Sequence, residues 1–200
     1  MTMAKRVIVD HCWGAIIDVQ DFFISQMDQS LWPKIRTNTS NFARLLGYFK
    51  IPIVFTLERP VARKGCLPVE ISKNMVPAAE VFEKDFFDLT REKEIVDYIT
   101  RLKRNQVIIT GCETDVCVLQ SCLGLLGLGY EVYVVEDLLF SSSPNVNAAI
   151  ARMKTEGAVF LSYKTLYYEL GGAVQGRRAG DSSLKMFEPL PDDLPDALVH

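Results

Sequence analysis

Histidine is almost missing from this 200-residue chain, which carries only His11 and His200. A zinc site built on histidines is therefore not expected, and the cysteines offer no substitute. Cys112, Cys117 and Cys122 are spaced i, i+5, i+10, which departs from the short CxxC pairings of structural zinc. Five cysteines form an odd set in a sizeable chain, so a secreted disulfide framework is not expected. Reduced thiols and a cytoplasmic location are. A basic surplus is missing as well. Twenty-two Lys and Arg stand against 25 Asp and Glu, for a net charge of −3, which argues against a nucleic-acid partner. "KRNQ" and "GRRAG" are short enough to be solvated loops. Long apolar runs are lacking. The longest, "VLQSCLGLLGLGYEVYVV", is interrupted by Gln, Ser, Gly and Glu, so no membrane span or membrane partner is expected. The opening "MTMAKRVIVDHCWGAIID" shows no signal-peptide cleavage pattern, and no repeat or low-complexity block is present.

What the chain does have is apolar residues, at 48%, enough for a sizeable core. They fall into short Val/Ile-rich runs alternating with longer helical patterns. "GAIIDVQ", "IPIVFTLE", "QVIITG", "YEVYVVED" and "AVFLSY" read as strands. Between them, "NTSNFARLLGYFK" reads as a helix capped by Asn38 or Ser40. "TREKEIVDYITRLKR" reads as one capped by Thr90, with Ile95, Ile99 and Leu102 at helical spacing. "SPNVNAAIARMKTEG" reads as one capped by Ser143 with Pro144 at its first position. "KTLYYELGG" closes the series. Apolar strands separated by single helices predict an α/β fold. It would be an open, doubly wound, mostly parallel sheet of five to six strands, with helices on both faces in three layers. We expect a single domain over residues 1–200, its core at about 14–170 and an extended tail at 171–200.

Two polar strand exits stand out, and in this architecture both lie on one rim of the sheet. The first is Asp18, after "GAII". The second is "TGCETDVCV", residues 110–118, where a strand gives way to a helix. Thr114 is placed to cap that helix, and Cys117 falls in its first turn. Free N–H groups and the positive helix end there are expected to lower the thiol pKa. The same groups are placed to hold an oxyanion, and a nearby carboxylate would take the thiol proton. On spacing alone, a buried core cysteine stays an open alternative.

"AIIDVQDFF", "VFEKDFF" and "GCETDVCV" together resemble the isochorismatase-like cysteine hydrolase superfamily, in the right order and over about residues 14–170. The resemblance implies a three-layer α/β/α fold and a catalytic set of Asp18 as base and acid, Lys84, and Cys117 as nucleophile. Lys64 and Lys73 are the rivals for Lys84, and Asp10 is a decoy for Asp18. It further implies a cis Cys112–Glu113 bond, with the Glu113 and Cys117 N–H groups forming an oxyanion hole. Gln20 and Phe23 follow Asp18 and are candidates for the substrate pocket, with a core position equally open for Phe23, and Cys112 and Cys122 read as core cysteines. The nicotinamidase branch binds a metal through histidines, but "TLERPVARKGCLPVEISKN" contains none. No metal and no cofactor are therefore expected. The presence of Cys117 tilts the expectation toward a small molecule's amide or ureide C–N bond, cleaved through a thioester. An isochorismatase-type ether hydrolase and a non-catalytic binding or scaffold member are the alternatives. Family members are commonly oligomers, so a homo-oligomer is expected, with a lid drawn from a neighbouring subunit.

Overall fold

The computed structural model describes residues 5–73 and 79–175. Six strands form one parallel sheet in the order β3-β2-β1-β4-β5-β6. They are β1 (Cys12–Ile17), β2 (Ile53–Glu58), β3 (Ala79–Lys84), β4 (Gln106–Gly111), β5 (Glu131–Leu139) and β6 (Val159–Leu161). The helices are α1 (Asp21–Ile24), α2 (Trp32–Tyr48), α3 (Val61–Lys64), α4 (Val69–Ser72), α5 (Lys93–Arg101), α6 (Leu119–Gly127), α7 (Asn147–Thr155) and α8 (Tyr163–Gln175).

The alternation of side chains along a strand explains the two cores. On β1, Cys12 and Ile16 join one cluster with Phe42, Leu45 and Leu46 of α2 and Leu166 of α8. Trp13, Ala15 and Ile17 point the other way, into a cluster with Ile95 and Ile99 of α5, Leu125 of α6 and Met153 of α7. Both faces of the central strands are thus covered, which is why they read as unbroken apolar runs.

The chain winds outward from β1 to β3, then returns to the centre and winds the other way from β4 to β6. The switch point lies between β1 and β4, whose last residues, Ile17 and Gly111, are in register. Sheets of this kind bind ligands in the crevice at that point. The close approach is enforced at Gly111. Its φ is +122°, and a Cβ there would lie 2.0 Å from the Ile17 carbonyl oxygen. Gly111→Ala is therefore expected to cost at least ~2 kcal/mol of stability, read as a lowered urea midpoint at unchanged slope.

Several local expectations need correction. The second helix starts at Trp32, with Pro33 in its first turn, so Asn38 and Ser40 are buried mid-helix rather than caps. Asp88, not Thr90, caps a short turn at Leu89–Arg91, and α5 begins after Glu92. Helix α7 begins after Val146, beyond Ser143 and Pro144. Thr114 does not cap its helix, because its hydroxyl donates to the Phe140 carbonyl at 3.0 Å. For Ser40 and Thr114 a long-range partner, the Glu70 or Phe140 carbonyl, overrides a locally plausible cap. Strand β3, absent from the list of strands read off the sequence, lies at the sheet edge. The tail expected to be extended begins inside α8, and its remainder from residue 176 lies outside the described residues.

Candidate active site

Three strand ends supply the site. Asp18 follows β1 and is fully buried. Its φ is +50°, an uncommon conformation for a non-glycine residue that persists where surroundings over-determine it. Here they do. The Asp18 N–H donates to the Thr56 carbonyl at 3.1 Å, and Gln20 N–H donates to the Asp18 carbonyl at 2.8 Å. The Cys112 thiol donates to that carbonyl at 2.8 Å. The Thr56 hydroxyl donates to Asp18 Oδ1 at 2.7 Å.

Lys84 ends β3, and its side chain is fully buried. Its Nζ lies 2.6 Å from Asp18 Oδ2 and donates to the Phe86 carbonyl at 3.1 Å. Burial acts to lower the Lys84 pKa, but the Asp18 carboxylate and the Cys117 sulfur outweigh it, and the ammonium is held above its ordinary range. Of the rival lysines, Lys73 is exposed, whereas Lys64 enters the site by another route.

Cys117 lies in a single π-helical turn, Thr114–Val118, that leads into α6. The turn closes with Val118 N–H donating to the Glu113 carbonyl at 3.0 Å, and the preceding Cys112–Glu113 bond is cis. Cys117 is buried, at 1% exposure. Asp18, Glu58 and Cys117 place their side-chain oxygen and sulfur atoms within 4.8 Å of one another. The expected lowering of the thiol pKa does not occur. Burial is the first cause, the Asp18 carboxylate the next, and with Glu58 they push the thiol up despite the opposing Lys84 charge. At a buried turn, lost hydration and two carboxylates outweigh a helix end. Burial also raises Asp18, against the pull of Lys84 and its hydrogen bond from Thr56.

Glu58 is the site residue that the sequence reading missed. It closes β2, in register with Lys84. One carboxylate oxygen pairs with Lys64, and the other accepts the Cys117 thiol at 3.2 Å. The signal was a charged residue ending an apolar strand on the rim that also carries Asp18. Gln20 is buried, and its amide is occupied by backbone. Its Nε2 donates to the Glu58 carbonyl at 3.2 Å and the Gly65 carbonyl at 2.8 Å, while its Oε1 accepts the Glu58 N–H at 2.7 Å. Phe23 is buried, with Lys64 Nζ 5.5 Å from its ring centroid. Asp10 is exposed, in a short turn ahead of β1. Cys112 and Cys122 are buried, and Cys66 is exposed. As a metal set, Asp18, Glu58 and Cys117 fit poorly. Each carboxylate already faces an ammonium, so a divalent cation would have to displace a lysine.

Comparison with known proteins places this geometry in context. The family model described as Isochorismatase domain matches residues 15–165. The secreted isochorismatase effector Isc1 of Phytophthora sojae is 33% identical over 159 residues, 78% of this chain and 74% of that protein. The ycaC gene product of Escherichia coli, described as an octameric hydrolase of unknown specificity, superposes with a TM-score of 0.85 at 22% identity, covering 96% of this chain and 95% of that one. The MAR1 ribonuclease of Caenorhabditis elegans superposes with a TM-score of 0.83 at 22% identity, covering 94% of both chains. At that identity the two structures are likenesses of fold.

Proposed function

The chain belongs to the isochorismatase domain family, and on that premise we propose that it is a cysteine hydrolase acting on an amide- or ureide-type C–N bond of a small molecule. The observation that carries the reading is one thiol set against a buried Asp18–Lys84 ion pair at the switch point of the sheet. Asp18 takes the thiol proton, and the sulfur attacks the carbonyl carbon. The oxyanion rests on the Glu113 and Cys117 N–H groups. The C–N bond then breaks as Asp18 returns the proton to the leaving nitrogen. Asp18 next deprotonates a water that attacks the thioester carbonyl. The thiolate leaves and recovers its proton, and the acid departs.

A raised thiol pKa does not oppose this sequence. Proton transfer from Cys117 to Asp18 leaves one negative charge facing Lys84 before and after, so the burial cost common to both groups largely cancels. No cofactor enters any step. The octameric relative in fold and the exposed Phe86 and Phe87 beside Lys84 support a homo-oligomer. The free thiols, with Cys66 exposed, favour a reducing compartment such as the cytoplasm. Among the described residues, no helix is long and apolar enough to cross a membrane.

The direct test is ammonia release from a panel of small amides, ureides and carbamoyl compounds. Turnover of at least one supports the reading. Turnover only of a vinyl ether, with Cys117 dispensable, supports the ether-hydrolase alternative. On a turned-over substrate, the pH profile gives a second test. Asp18 acts as base only when ionised, and burial raises its pKa. Activity should therefore fall as pH drops through that raised value. The acid limb of kcat/KM is expected above the ordinary aspartate value of about 3.9. A limb at or below that value would remove Asp18 from the role of base.

A further inference from the structure

Glu58 has no part in the steps above, yet it is built into the site with unusual care for an ordinary strand end. Its backbone is gripped on both sides by the buried Gln20 amide, which also holds Gly65, the residue following Lys64. That single side chain therefore fixes both Glu58 and the loop that brings Lys64 to it. Lys64 takes one carboxylate oxygen and, stacked near Phe23, anchors it. The other oxygen is left facing the sulfur, with the thiol hydrogen as its donor. A purely structural ion pair would not require the second oxygen to point at a nucleophile. Once Cys117 gives its proton to Asp18, that oxygen loses its donor in a buried setting, where an unsatisfied carboxylate is costly.

We propose that Glu58 is a specificity-determining residue that accepts a hydrogen bond from an N–H group of the substrate, replacing the thiol hydrogen as the sulfur bonds to carbon. Glu58 itself gains and loses no proton. The proton from Cys117 goes to Asp18 and then to the leaving group, and Glu58 stays paired with Lys64 throughout. The site thus prefers carbonyl compounds bearing N–H donors over isosteres that lack them. The proposal rests on Cys117 as the nucleophile, and it adds the chemistry of the group the site selects.

The test uses two electrophiles of the same kind, acrylamide and N,N-dimethylacrylamide. Cys117 adds to the β-carbon of each, and Asp18 passes the proton to the α-carbon. Labelling rates at Cys117 are read by peptide mapping, and the ratio for the two probes is divided by the same ratio for glutathione. Wild-type protein is expected to favour acrylamide by about tenfold, the effect of one well-placed hydrogen bond. In Glu58→Gln, Lys64 holds the amide oxygen, so the amide NH2 faces the sulfur and the acceptor is lost. The preference should collapse toward the glutathione ratio. Absolute labelling by dimethylacrylamide should rise, because a negative charge beside the thiol has gone. This opposite movement distinguishes lost recognition from a damaged fold, which lowers both rates. It also distinguishes recognition from bulk, since a steric preference survives in the same-sized Gln. An unchanged ratio in folded Glu58→Gln overturns the proposal and leaves the nucleophile standing. Failure of both probes to label Cys117, with Cys117→Ala turning over the substrate found by ammonia release as fast as wild type, overturns both.

Discussion

Cys117→Ser is expected to fold normally and to lose about 10⁴-fold or more in kcat on the substrate that ammonia-release screening identifies. The serine hydroxyl is nearly the size of the thiol and keeps the hydrogen bond to Glu58. What it loses is acidity. The thiol is already raised by burial and by Asp18, and an alcohol starts several units higher, beyond the reach of a carboxylate base. Melting temperature within a few degrees of wild type, with turnover gone, assigns the loss to chemistry. Cys117→Ala should be equally inactive, since effects within one catalytic unit do not add. Full turnover in either variant would end the thioester mechanism, and with Asp18→Asn inactive it would point to ether hydrolysis.

Periodicity and turn chemistry carried the sequence a long way toward this fold, and their failures share one cause. The five strands read from apolar runs are present because a central parallel strand is covered on both faces and shows itself by composition alone. β3 escaped because it is an edge strand. Glu80 and Glu83 stand exposed along it, and the run "AEVFEK" has no unbroken apolar core to announce it. That omission had a consequence for the site. Lys84 was legible only by resemblance, because its burial comes from the end of a strand whose other charged residues face solvent. The caps failed similarly, as Ser40 and Thr114 found partners across the fold that no local window contains. Glu58 and the thiol pKa were illegible for a deeper reason. Both depend on three strand ends and the Lys64 loop converging on one sulfur. Sequence distance hides that convergence, since Glu58 lies 59 positions from Cys117.

Lys84→Met is expected to destabilise the protein by about 3–5 kcal/mol at neutral pH, the cost of leaving one buried charge without its partner. Lys84 and Asp18 are both fully inaccessible, and methionine supplies comparable bulk, so lost packing contributes little. The pH dependence identifies the culprit. Without Lys84, the folded-state pKa of Asp18, already raised by burial, rises further above its unfolded value of about 3.9. Between those two values the folded protein binds a proton that the unfolded chain does not, so stability falls as pH rises. The deficit of Lys84→Met against wild type should therefore be smallest near pH 4 and widen toward neutrality. Adding Asp18→Asn removes the orphaned charge, and the double variant should recover a large part of the loss at neutral pH. Urea denaturation of the four proteins at two pH values measures the whole cycle. A Lys84→Met loss below about 1 kcal/mol, typical of an exposed ion pair, and flat with pH, would show that Asp18 does not depend on Lys84 for its charge. Asp18 would then lack the fixed counter-charge that lets it exchange a proton with Cys117 in a buried site.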